Sequence, residues 1–161
     1  MNKMFLLLIM SALVFALGAQ TGLFDLSYGD TRETALETLK QNGFEISTDD
    51  GTSVDLVPTD NYLVDRIYLT FNSDTSTLES WSIAYNPQED EDIEQMVMDA
   101  LISRHGEDYV WDDFYMQYYW SLENDRYVYA GYDYEEIYYW AEYTSSESVP
   151  DTEEEEEDWD F

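Results

Sequence analysis

"YVWDDFYMQYYWSLENDRYVYAGYDYEEIYYW", residues 109–140, is the stretch that decides the fold. From Trp111 to Trp140 it holds thirteen aromatic residues and seven carboxylates, with Arg126 as its single cation. The residues alternate with a period of two, the rhythm of extended chain. Phe114, Met116, Tyr118 and Trp120 fall on one side of a strand, and Tyr115, Gln117 and Tyr119 on the other. Tyr127 and Tyr129 oppose Val128 and Ala130, while Tyr138, Trp140 and Glu142 oppose Ile137, Tyr139, Ala141 and Tyr143. Strands are therefore expected at about 114–120, 126–132 and 136–143. One side of this sheet should pack on a helix. The other should carry Tyr115, Tyr119, Tyr127, Tyr129, Tyr138 and Trp140 as a candidate binding face. Cross-strand aromatic pairs stabilise a sheet by roughly 0.2–1 kcal/mol each, so the same rings also read as plain sheet structure. Tyrosine suits both roles, because it buries its ring and keeps its hydroxyl wet.

The helix that should cover this sheet lies just upstream, in "NPQEDEDIEQMVMDALISRHG" (86–106). Asn86 can cap it, Pro87 fits the first helical position and Glu89 completes a capping box. Arg104 and His105 fill the last turn and Gly106 ends it. Ile93, Met96, Val97, Ala100 and Leu101 follow the spacing of a core-facing stripe.

An earlier segment repeats this plan. "GDTRETALETLKQNG" (29–43) reads as a helix capped by Asp30 or Thr31, with Glu33 in its first turn, Lys40 in its last and Gly43 as its stop. Ala35, Leu36 and Leu39 share a face. Strands should follow at 53–57, 64–71 and 78–85, the last two joined by the turn "NSDTST" (72–77). The expected fold is α+β, with two helix-plus-antiparallel-meander units (αβββ-αβββ) in one compact body, at 20–88 and 89–144. "DRIYLTF" (65–71) against "DRYVYAGY" (125–132), and "LESW" (78–81) against "IYYW" (137–140), suggest a tandem repeat.

Residues 1–19, "MNKMFLLLIMSALVFALGA", read as a secretory signal peptide: Lys3 precedes an apolar run that ends in small residues. Cleavage is expected near Ala19 or Gln20, with no cysteine beside it for lipidation, so the expected location is secreted or periplasmic. Residues 145–161, "SSESVPDTEEEEEDWDF", read as a disordered acidic tail, because like charges repel.

The net charge of −31 argues against nucleic acid and against direct binding to anionic membrane. It favours a cationic partner. The chain has no cysteine, which removes thiol nucleophiles and thiolate metal sites. His105 is the single histidine, and no nucleophile–base–orienter set surrounds it. Carboxylate pairs (Asp49 and Asp50, Asp112 and Asp113, Glu135 and Glu136) are expected by chance among 37 acids, so they point only faintly to a carboxylate-dependent hydrolase. "DDGTSVD" (49–55) and "NSDTSTLE" (72–79) offer oxygens for calcium but miss the spacing of a calcium loop, and read better as turns. No catalytic residue, cofactor or metal site is expected.

Gly29, Thr31 and Ala35 match the "G-x-T-x-x-x-[VA]" helix start of the outer-membrane assembly lipoprotein (SmpA/OmlA) family, which this segment resembles. The tandem helix-plus-meander order is similar to that of the β-lactamase inhibitory protein fold, whose concave sheet binds another protein. These resemblances imply a non-catalytic envelope or secreted binding module for an unknown protein partner. Carbohydrate or calcium binding on the same aromatic and acidic face is the alternative.

Overall fold

A computed structural model describes residues 21–61, 63–86, 92–133 and 138–145. The expected signal peptide, residues 146–161 of the expected acidic tail, and Glu135 and Glu136 lie outside the described residues; Ser145, expected as the start of the tail, ends the last strand.

Helix α1 (Arg32–Gln41) starts where the sequence marks it: the Thr31 hydroxyl accepts from the Thr34 amide at 3.2 Å. Its buried residues are Ala35 and Leu39, with Leu36 partly buried. Gly43 closes it with φ +84°, a conformation that costs glycine nothing. Gly29 (φ +83°) turns the chain into this helix, and its amide donates to the Leu78 carbonyl. Helix α2 (Ile93–His105) has Asp92 at its cap position and no side-chain capping bond; Pro87 and Glu89, expected in its first turn, lie outside the described residues. Its buried residues are Ile93, Val97, Met98 and Leu101, whereas Met96 and Ala100 are exposed. The expected stripe is thus rotated. Apolar residues run almost all round this helix, so their spacing alone does not select the seam.

The strands are β1 (Phe44–Asp49), β2 (Ser53–Pro58), β3 (Val64–Phe71), β4 (Leu78–Tyr85), β5 (Val110–Asp112), β6 (Gln117–Ser121), β7 (Arg126–Asp133) and β8 (Tyr138–Ser145). They form one antiparallel sheet in the order β1-β2-β3-β4-β8-β7-β6-β5. Each half is a helix followed by a four-strand meander, not three strands, and the halves join through their last strands. The two extra strands are the sheet edges. β1 is exposed along nearly its whole length and β5 has three residues, so neither carries an alternating signature.

One face of the sheet is sealed. Leu56, Ile67, Ile83, Ala141, Ala130 and Tyr118 form a row across it, with Val54, Leu69, Trp81, Tyr143, Val128 and Trp120 beside them. Buried residues of both helices join this surface in a single core. The N-terminal segment locks onto its centre. Leu23 N donates to the Tyr143 hydroxyl at 2.9 Å, and the Tyr28 hydroxyl donates to the Thr144 carbonyl at 3.0 Å. Arg126 lies 4.2 Å from the Tyr28 ring centroid.

Candidate functional site

The opposite face carries no helix among the described residues. Its central row runs Asp55, Tyr68, Ser82, Glu142, Tyr129, Tyr119 and Val110, each residue directly paired with the next. A second row runs Arg66, Ala84, Trp140, Gly131, Gln117 and Asp112. Five of the six expected binding residues share this face: Tyr119, Tyr127, Tyr129, Tyr138 and Trp140, all half-buried. Tyr119, Tyr129 and Tyr127 form a continuous ring series, with centroids 6.1 and 6.0 Å apart. Burial, with Tyr127 and Glu142 nearby, raises the Tyr129 hydroxyl above its ordinary range. Trp140 leans over Gly131, where an added Cβ would come within 3.5 Å of its Cζ2 and 3.2 Å of the Gln117 Cβ.

Tyr115 departs from the expectation. Strand β6 begins at Gln117, and Asp113–Met116 form the β5–β6 turn. The Asp112 carboxylate accepts from the amides of Phe114 and Tyr115 at 2.9 and 3.1 Å, reversing the chain without glycine or proline. Phe114 and Met116, expected to pack on the helix, are 84% and 52% exposed. Tyr115 packs edge-on against Phe114. Among the described residues, Tyr109, Val110, Trp111, Phe114, Tyr115 and Met116 account for six of the nine exposed large hydrophobic side chains. The two-residue rhythm ran through the turn and hid this cluster. The signal that reveals it is "WDDF", two successive aspartates able to bond forward to backbone amides.

Glu142 was also missed as a separate feature. It sits mid-strand in β8, with Ser82 paired on one side and Tyr129 on the other. Burial holds its carboxyl above the usual carboxylate range. The sequence sign is a lone charge in "YYWAEYTS". Arg66, the one cation on this face among the described residues, pairs with Asp65 at 2.8 Å and lies 4.0 Å from Asp55.

Acids at the turns have local partners. Arg32 pairs with Asp49 and, with the Gly51 amide, lowers that carboxyl's proton affinity. Asp50 accepts from Ser53 N and Thr52 N, which lowers it too. Asn72 Oδ1 accepts from Asp74 N and Thr75 N. Both segments weighed for calcium thus act as turns. The single histidine faces inward, with Nε2 3.0 Å from the Tyr143 hydroxyl. Burial, and then Arg104, push its pKa down to about 4.

This geometry defines an α+β protein with one helix-packed face and one aromatic face that is bare among the described residues, extended at one edge by an exposed hairpin. Compared with family models, curated proteins and solved structures, the chain gives no match in any of the three.

Proposed function

We propose that the chain is an exported, non-catalytic module that docks a protein partner through the Tyr119–Tyr129–Tyr127 face and the adjoining 109–116 hairpin. The observation that carries this reading is the concentration of exposed large hydrophobic side chains in 109–116, at the edge of the bare face. Solubility alone disfavours such a cluster, and contiguous exposed apolar patches mark interaction sites. Tyrosine and tryptophan bury large area with few rotors, which suits an interface. The leader-like N-terminus supports action in the periplasm or outside the cell. The symmetric strand order supports descent of the two halves from one duplicated unit.

The test is site-specific photo-crosslinking in envelope and supernatant extracts of the source organism. A crosslinker at Tyr119 or Phe114 should give one discrete protein adduct. The same group at Glu37, on the exposed side of α1, should give none. Equal adduct patterns from all three sites would remove the reading.

A second reading, carbohydrate binding, draws on the depression of 360 Å³ lined by Tyr68, Tyr138, Trp140 and Glu142. Rings beside carboxylates suit sugar faces and hydroxyls. A glycan array on which the full chain binds nothing would dismiss it.

A further inference from the structure

We propose that the docked protein partner adds a strand to the outer edge of β5, through an extended segment in which apolar and basic residues alternate. This rests on the docking reading and specifies its geometry and chemistry.

Strand β5 ends the sheet, and no described strand pairs with its outer edge. In an edge strand, alternate residues turn their N–H and C=O groups outward, a template that another extended chain can complete. Natural edges are blunted against this. The opposite edge, β1, follows that rule: Glu45, Ser47, Thr48 and Asp49 are polar, and a bulge breaks its register between Ile46 and Thr48. β5 is short, which is itself a protection, yet its side chains undo it: Val110 is 50% exposed and Trp111 43%.

The placement of these side chains selects the docking mode. Val110 pairs with Tyr119 on the bare face. Trp111 pairs with Tyr118 on the helix-packed side, with ring centroids 4.7 Å apart, and the exposed Tyr109 meets the same Tyr118 ring edge-on at 5.6 Å. Apolar surface is thus bare on both sides of the pleat. A body laid flat on the bare face would cover Val110 and leave Trp111 and Tyr109 wet. A strand set beside β5 places alternate side chains against both sides while its backbone completes the ladder.

Charge selects the occupant. From Gly106 to Asp125 the chain holds six acids and no lysine, arginine or histidine. Asp108 stands just before β5, Asp112 ends it and Asp113 follows. A second copy paired antiparallel would set these aspartates against their counterparts, between bodies of net charge −31 each, and like charges directly opposite are destabilising. Basic residues in the added segment complement them, and its apolar residues cover Val110 and Trp111.

The probe is a capped peptide of about nine residues, valine alternating with lysine and threonine, long enough to overrun an edge strand of this kind. It is titrated into the full chain by NMR at constant ionic strength. The expected result is a saturable shift of amides centred on Val110 and Trp111, with slowed amide exchange there. Methylating alternate backbone nitrogens of the peptide should weaken binding about tenfold or more in one register and little in the other, because only one set of amides faces β5. Exchanging its lysines for glutamate should abolish binding. Val110→Lys, at an exposed position, should weaken it about tenfold. Ile46→Thr, on the opposite edge, should change nothing. Shifts centred elsewhere, a response that does not saturate, or equal sensitivity to the two methylation registers overturns strand addition. Sedimentation should find a monomer; a dimer that Val110→Lys dissolves would give the edge to a second copy and overturn it too. Adducts from Phe114 and Tyr119 with a flat titration leave the docking surface standing and strand addition refuted; a saturable titration without adducts does the reverse.

Discussion

Trp81 and Tyr143 stack with ring centroids 4.4 Å apart and planes 9° from parallel, directly paired across the β4–β8 seam. This contact joins the two halves of the molecule. Everything else at the seam is built around it: the Leu23 amide and His105 both meet the Tyr143 hydroxyl, and Tyr28 lies tilted against Trp81 at 4.7 Å. Gly22 occupies the small space left over the rings.

Gly22→Ala should therefore destabilise by steric overlap alone. A Cβ there would come 2.5 Å from Trp81 Cζ2 and 2.5 Å from Tyr143 Cε1. Overpacking of this kind costs about 1–3 kcal/mol. The expected readout is a lower urea midpoint with unchanged slope. Trp81→Phe in the same chain should recover part of the loss, so the two changes together cost less than their sum. Strictly additive effects would mean that the glycine is not held by those rings.

Stability should carry a signature of His105. The Tyr143 oxygen accepts from Leu23 N–H and lies 3.0 Å from His105 Nε2, an arrangement that suits a neutral imidazole in a half-buried site. The folded pKa, about 4, lies below the ordinary 6.5. Between those values the unfolded chain binds a proton that the folded chain refuses. Stability from this site is thus full above pH 6.5 and lost as pH falls toward 4. The acidic surface changes in the opposite sense, as protonation relieves its repulsion, so the measurement is a difference. The stability gap between wild type and His105→Gln should shrink by about 1–2 kcal/mol from pH 7 to pH 4, allowing for the partial exposure of the ring. A gap independent of pH would show that the imidazole titrates alike in both states.

Met116→Gly should stabilise the fold and weaken docking. Met116 has φ +54° in the β5–β6 turn with its side chain 52% exposed. A non-glycine residue there carries a backbone cost, of which glycine, after its own entropy penalty, should return up to about 1 kcal/mol. The expected result is a higher thermal midpoint and a lower adduct yield from Phe114. A lower midpoint would mean that the thioether packs usefully and that the turn is not strained.

Much of this molecule is legible in one dimension. Thr31, Ala35, Leu39 and Gly43 announce α1 because caps and helical spacing are local chemistry. The alternation from Gln117 to Trp120, from Tyr127 to Ala130 and from Tyr138 to Tyr143 separates buried from bare residues because the pleat has a period of two. Five of the six candidate binding residues share a face for that reason. The acidic, cysteine-free composition likewise narrows the plausible partners before any coordinate is known.

Other features depend on distant chain segments. Strands β1 and β5 exist because a neighbouring strand offers a ladder of hydrogen bonds, not because their own residues alternate. The buried side of α2 was chosen by the shape of the sheet, since its apolar residues lie all round. Tyr115 left the face because Asp112 bonded forward and closed a turn. The setting of Glu142 follows from β8 pairing with β4 and β7, which puts Ser82 and Tyr129 beside it. Local propensity and periodicity act over a few residues; pairing register and counter-charge are settled only when segments about sixty positions apart meet.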